Sequence, residues 1–232
     1  MLDPHDKTRR SPPIRIAQVF VRWFFRISML VFRLRVSGVE KYPRLGPLLV
    51  CSNHQSNLDP LILGCVCPRP INYLGKDSLF TFPPLGWFLR WNDVIPLDRE
   101  GTGLAGIKET LKRLKKKESV LMFPEGTRST DGELQTVKRG FCTLAKKTKV
   151  PILPVGLAGA FEALPRHTPL PNFKTSIEVV IGDAIQPDEY LKLSDDELTA
   201  LLQQRIAECF AEARAIKNSR SFKGVRDWKL TQ

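Results

Sequence analysis

From about residue 38 to about residue 185 the chain alternates two kinds of apolar pattern. Short apolar runs at 48–51 (LLVC), 71–74 (INYL), 94–97 (VIPL), 120–123 (VLMF) and 152–155 (ILPV) predict short strands, the first of them buried. The run at 176–181 (SIEVVI) alternates, is β-branched and predicts a last strand. Helical stretches lie between these runs. One spans 60–66 and opens on Pro60, whose missing N–H costs nothing in a first turn. Another spans 103–117, with Leu104, Ile107, Leu111 and Leu114 at helical spacing, and a third covers 138–148. Strand and helix in alternation predict an α/β fold, a mixed, largely parallel sheet covered by helices. A closing helix is expected over 195–217 with Ser194 as its cap. The proline-rich stretch at 165–171 reads as a loop, and no repeat or low-complexity segment interrupts the pattern.

The first 36 residues follow a different rule. Residues 1–13 are polar, basic and proline-containing, and read as a disordered leader. Residues 14–36 (IRIAQVFVRWFFRISMLVFRLRV) are strongly apolar, yet Arg15, Arg22, Arg26 and Arg33 recur within them. At about 100° per residue these arginines fall in a narrow stripe on one helix face. Each central one would cost about 2.5–3.5 kcal/mol in the middle of a bilayer. An amphipathic helix lying in the membrane interface avoids that cost, its arginines meeting lipid phosphates and Phe20, Trp23, Phe24 and Ile27 lying on its other faces. A helix packed on the domain, or a true span, is the alternative. The arginines and the lack of a small-residue cleavage site argue against a signal peptide. The expected organisation is leader (1–13), interface helix (14–36), α/β domain (37–217) and tail (218–232).

Charge sharpens this picture. The chain of 232 residues carries a net charge of +12, which calls for an anionic partner: a membrane surface, a phosphorylated substrate or nucleic acid. Lys112-Arg113-Leu114-Lys115-Lys116-Lys117 reads as the solvated end of a helix, where cations are favoured, and no nucleic-acid motif accompanies it. The cysteines Cys51, Cys65, Cys67, Cys142 and Cys209 are odd in number and lack zinc-site spacing, so they are expected to be reduced structural thiols.

Two short motifs carry the chemistry. Asn53-His54-Gln55-Ser56-Asn57-Leu58-Asp59 follows the first buried strand. His54 is a natural general base, and Asp59 would orient it if a turn brings the two together, since a separation of five is not a helical spacing. Asp59-Pro60 also reads as a helix start. No nucleophile elbow surrounds Ser56 or Cys51, which favours a base acting directly on a substrate hydroxyl. Phe123-Pro124-Glu125-Gly126-Thr127-Arg128-Ser129 places a glutamate and an arginine on a glycine-containing turn after a strand. Arg128, Arg99 and Lys138 would form a phosphate pocket if the fold converged them; otherwise they are separate surface charges.

These motifs resemble the glycerolipid acyltransferase family, in particular the bacterial 1-acylglycerol-3-phosphate acyltransferases. Gly86-Trp87-Phe88-Leu89-Arg90 with Ile95-Pro96-Leu97-Asp98-Arg99 resembles the family's second block, and Val150-Pro151-Ile152-Leu153-Pro154-Val155 its fourth. The four blocks stand in the family's order over residues 40–185. The resemblance implies that His54, held by Asp59, removes the proton from the sn-2 hydroxyl of lysophosphatidic acid. That oxygen then attacks the thioester of acyl-CoA or acyl-carrier protein, and phosphatidic acid forms. It implies acceptor contacts from Glu125, Gly126, Thr127, Arg128, Arg99, Lys138 and Lys76, and an acyl tunnel shaped by Ile152, Leu153, Pro154 and Val155. No metal and no cofactor beyond the acyl donor is implied. The location implied is monotopic, on the cytoplasmic face of an anionic membrane, with no nucleic-acid partner. Glycerol 3-phosphate, a larger lysophospholipid or an acylated amino acid are alternative acceptors. A thioester hydrolase and a non-enzymatic basic membrane module are the other readings.

Overall fold

The computed structural model describes residues 32–76, 81, 83, 95–97, 104–166, 168 and 170–219. Seven strands form one sheet: β1 (Arg35–Ser37), β2 (Leu48–Ser52), β3 (Ile71–Lys76), β4 (Ile95–Leu97), β5 (Ser119–Met122), β6 (Ile152–Ala158) and β7 (Glu178–Ile181). Their order is β1-β7-β6-β2-β5-β3-β4. The strands from β6 to β4 run parallel; β7 is antiparallel to β6, and β1 is parallel to β7. This is the mixed, largely parallel α/β architecture expected, and each short apolar run from 48 to 155 contributes a strand.

β2 shows why these runs become central strands. It lies between β5 and β6, and all five of its residues are buried. Successive side chains point to opposite faces. Leu48 and Val50 enter one core with Ile62, Leu63 and Val66, whereas Leu49 and Cys51 enter a second with Phe141, Leu202 and Ile206. The helix α1 (Asp59–Val66) thus covers one face. The helices α2 (Leu104–Lys115), α3 (Gly140–Thr148) and α6 (Asp195–Ser219) cover the other. The described residues also include two single-turn α-helices, α4 (Ala160–Ala163) and α5 (Pro187–Tyr190), and a 3-10 turn at Val39–Lys41.

Caps and ion pairs follow the local sequence. Ser194 Oγ accepts the Glu197 N–H at 3.2 Å while Glu197 accepts the Ser194 N–H at 2.7 Å, a reciprocal box that starts α6. In the basic run, Arg113 turns inward to Glu109 (2.7 Å) and Glu118 (3.3 Å), while Lys112, Lys115, Lys116 and Lys117 are exposed. The five cysteines are buried and none forms a disulfide.

α6 packs hard against β6 at Gly156. A Cβ there would stand 2.2 Å from the backbone of both Cys209 and Phe210. The obstruction is backbone, so no rotamer change relieves it. Gly156→Ala is expected to destabilise the fold by about 2–3 kcal/mol, read as a lower denaturation midpoint. An unchanged midpoint would mean that α6 can lift off the sheet without cost.

One boundary differs from expectation. The interface helix proposed for 14–36 cannot run to its end. Arg33 has φ +48, in the left-handed region, and 35–37 form β1 on the edge of β7. A right-handed helix cannot pass through that residue without a break. Phe32 and Leu34 are buried in the first core. The leader at 1–13, residues 14–31 of the interface helix and positions 220–232 of the tail lie outside the described residues. Among the described residues, no helix is long and apolar enough to cross a membrane.

Candidate active site

His54 and Asp59 meet just beyond the carboxyl end of β2. His54 Nδ1 lies 2.7 Å from Asp59 Oδ2. The backbone N–H groups of Gln55 (2.6 Å) and Ser56 (2.8 Å) donate to that same oxygen. The loop thus wraps its N–H groups around the carboxylate that opens α1, while Ser56 Oγ accepts the Leu58 N–H at 3.2 Å. This wrapped turn bridges a separation too long for one helical turn. Asp59 is fully buried. Oδ2 already accepts two N–H groups, so it can only accept from Nδ1. The Nδ1–H tautomer follows, and Nε2 keeps the free lone pair of a base. The His54 side chain is 13% exposed, and its ring stacks on Phe123 with centroids 3.9 Å apart and planes 13° from parallel.

The second motif clamps the first. β5 lies beside β2 with Cys51 opposite Met122, so the turn after β5 sits next to the turn after β2. Glu125 Oε1 accepts the His54 N–H at 3.0 Å, and the Ser129 N–H donates to the His54 carbonyl at 2.7 Å. Both backbone groups of His54 are therefore held by residues more than seventy positions away. On the other flank, Asn53 continues the sheet with a side chain: Nδ2 donates to the Leu157 carbonyl at 2.9 Å and Oδ1 accepts the Leu157 N–H at 2.8 Å. Three neighbouring strand ends thus fix His54. Sites in parallel α/β sheets form outside such carboxyl ends.

Glu125 is 2% exposed, and its Oε2 finds no partner among the described residues. Burial pushes its carboxyl up to about 8; the nearby Asp59 charge adds to this and the His54 N–H opposes it. An unfolded glutamate loses its proton near 4.5, so between there and about 8 the folded chain holds the extra proton. Stability should therefore fall as pH rises through that window. Glu125→Gln keeps an acceptor for the His54 N–H and cannot ionise. Thermal melts from about pH 5 to about pH 8 should show a decline in the parent that is much flatter in the variant. Equal declines would contradict this.

The anion-binding candidates are partly assembled. Gly126 has φ +76, suited to glycine, and closes a turn by donating to the Phe123 carbonyl at 3.0 Å. A Cβ on Gly126 would stand 3.2 Å from Lys138 Nζ, so the ammonium lies over this turn. The Lys138 backbone N–H donates to the Pro124 carbonyl at 2.9 Å. Gly126, Thr127 and Lys138 are exposed and Arg128 is half-buried. Lys76 ends β3, at the same end of the sheet, while Arg99 lies outside the described residues. Ile152, Leu153, Pro154 and Val155 belong to β6, which is buried along its whole length, with Ile152 in one core and Leu153 and Val155 in the other. A cavity of about 250 Å³ opens instead near Gln55, Gly132, Phe161 and Phe210.

Sequence reasoning assigned no role to Asn53, Phe123 or Ser129, and gave Gln55 none although it follows the base. Gln55 Nε2 donates to the Gly132 carbonyl at 2.6 Å and so ties the two motif loops together again. Their only signal was membership of the two motifs, because the contacts they make are long-range.

Fold and site together define an α/β protein with an imidazole paired to a buried carboxylate at its strand ends, beside a glycine turn roofed by a lysine. The Acyltransferase family model matches residues 33–158, more than half of the chain. The 1-acyl-sn-glycerol-3-phosphate acyltransferase of Pseudomonas aeruginosa is 30% identical over 85% of this chain and 76% of its own length. That of Bacillus subtilis is 29% identical over 75% and 87%. The chloroplastic enzyme LPAT1 of Arabidopsis thaliana is 35% identical over 58% of this chain, but the match spans only 38% of the plant protein. In fold, the chain is similar to the crystal structure of the acyltransferase PlsC from Thermotoga maritima, with a TM-score of 0.76, 23% identity, and coverage of 93% of this chain and 86% of that one. The chain belongs to the Acyltransferase family.

Proposed function

We propose that this protein is an acyltransferase that moves an acyl group from a thioester to the sn-2 hydroxyl of 1-acylglycerol 3-phosphate, giving phosphatidic acid. The observation that carries the reading is the His54–Asp59 contact of 2.7 Å, with the His54 backbone held by the second motif. His54 Nε2 takes the proton of the acceptor hydroxyl as its oxygen attacks the thioester carbonyl. Asp59 stabilises the imidazolium. The C–S bond then breaks, and the imidazolium returns its proton to the departing thiolate. Acyl-CoA or acyl-carrier protein supplies the thioester.

Lys138, above the Gly126 turn, supports a phosphate site there, with Thr127 and Arg128 on the same turn and Lys76 and Arg99 as further cations. Glu125 serves this site by holding the His54 backbone. A largely protonated carboxyl at neutral pH adds little negative charge beside a phosphate. In this reading Ile152, Leu153, Pro154 and Val155, packed inside the cores, help shape the acyl tunnel only from behind the residues that line it. The names of the bacterial relatives support lysophosphatidic acid as acceptor, and the +12 charge supports work at the cytoplasmic face of an anionic membrane.

Acceptor comparison tests the reading. At equal concentration, lysophosphatidic acid should be acylated at least about tenfold faster than glycerol 3-phosphate or lysophosphatidylcholine. The first lacks the acyl anchor, and the second carries a cation where Lys138 favours a phosphomonoester. Equal or faster turnover of either competitor would contradict the acceptor assignment.

A further inference from the structure

The loop between α4 and β7 joins the carboxyl end of β6 to the start of its antiparallel neighbour, and so leaves the sheet at the end that carries His54. It is fastened to the active-site loop and to itself: Ser56 Oγ donates to the Leu164 carbonyl at 2.9 Å, and the Asn172 N–H to the Ala163 carbonyl at 2.7 Å. Beyond these ties it offers apolar side chains to solvent. Leu170 is 76% exposed and Phe173 51%. Arg166 and Lys174, both exposed, flank them.

Where the chain enters the domain adds a second observation. β1 is parallel to β7 and starts opposite Glu178, so the chain arrives at this same end of the sheet. The Phe32 ring lies 5.1 Å from that of Phe173. Arg33, next along, is exposed. The sequence leading into this point, 14–31, is the apolar, arginine-bearing run. Exposed apolar groups, flanking cations and the entry of that run therefore share one end of the molecule with the base.

We propose that Leu170 and Phe173 form a membrane-contacting tip that enters the lipid–water interface of an anionic bilayer beside the active site. The two side chains reach the acyl boundary, and Arg166, Lys174 and Arg33 lie at the level of the phosphates. This geometry sets the His54 end of the sheet against the surface where a lysophospholipid resides. The inference rests on the lipid-acceptor reading above.

All five native cysteines are buried, so Leu170→Cys in the full chain can be labelled selectively with an environment-sensitive fluorophore. Vesicles of phosphatidylglycerol and phosphatidylethanolamine should raise and blue-shift its emission, and doxyl-labelled lipid should quench it. Phosphatidylcholine vesicles should have much less effect. The double variant Leu170→Glu/Phe173→Glu should sediment about tenfold less with anionic vesicles. It should lose turnover of vesicle-borne acceptor by a similar factor, while retaining turnover of a short-chain soluble acceptor. The proposal fails if the label stays in water on binding, or is already shielded from aqueous iodide without lipid, which would mean that residues 14–31 cover the tip. It also fails if the double variant sediments like the parent or loses soluble-acceptor turnover equally. Label insertion needs no turnover. Insertion without acyl transfer would count against the function alone, and acyl transfer without insertion against the tip alone.

Discussion

His54→Ala is expected to lower acyl transfer by about 10²–10⁴-fold while leaving the fold and vesicle binding intact. The loss follows from the tautomer. Asp59 Oδ2 fixes the proton on Nδ1, leaving Nε2 as the basic atom of the ring. Alanine keeps the backbone bonds to Glu125 and Ser129, because these use the His54 N–H and carbonyl. The stacked face of Phe123 becomes exposed, a small cost beside the chemical one. Intact thermal stability with lost turnover would place the residue in catalysis. Turnover within threefold of the parent would remove it from the mechanism.

Asp59→Ala should be as damaging to activity and should also destabilise the protein. Three donors converge on one buried oxygen, and alanine leaves the backbone N–H groups of Gln55 and Ser56 and the His54 ring N–H without it. Each buried unsatisfied donor costs about 1–3 kcal/mol, so a loss of about 3 kcal/mol or more is expected. Asp59→Asn separates the two effects. Its carbonyl oxygen can still accept the backbone donors, so the fold should recover much of the loss. The amide does not stabilise an imidazolium as a carboxylate does, so turnover should stay about 10²–10⁴-fold down. Recovery of turnover together with stability in the asparagine variant would make Asp59 a purely structural residue.

The sheet was legible because strands buried on both faces have little choice of residue. The runs at 48–51, 120–123 and 152–155 are almost purely apolar, and each is a strand in the observed centre. β1 was not legible. Arg35–Ser37 prolong a run of apolar and arginine residues at helical spacing, and what makes them a strand is the exposed edge of β7 and the left-handed turn at Arg33. Neither has a local signature. The four-residue helices α4 and α5 are likewise too short to show a period. In the site, the His54–Asp59 pair could be read as a pair, with Asp59-Pro60 marking a helix start just after the base. That Glu125 would be buried on the His54 backbone could not be read, because a glutamate in a glycine turn more commonly faces water. The Asn53 contact to Leu157 spans 104 positions and depends on β6 lying beside β2, so strand order had to be known first.

The central claim is that one imidazole activates an acceptor hydroxyl against a thioester. Thiol release from palmitoyl-CoA, followed with and without lysophosphatidic acid for the parent protein and His54→Ala, tests it most directly. The account predicts release that requires both the acceptor and His54, with phosphatidic acid recovered in equal amount. Release at the same rate without acceptor, or undiminished in His54→Ala, would contradict it.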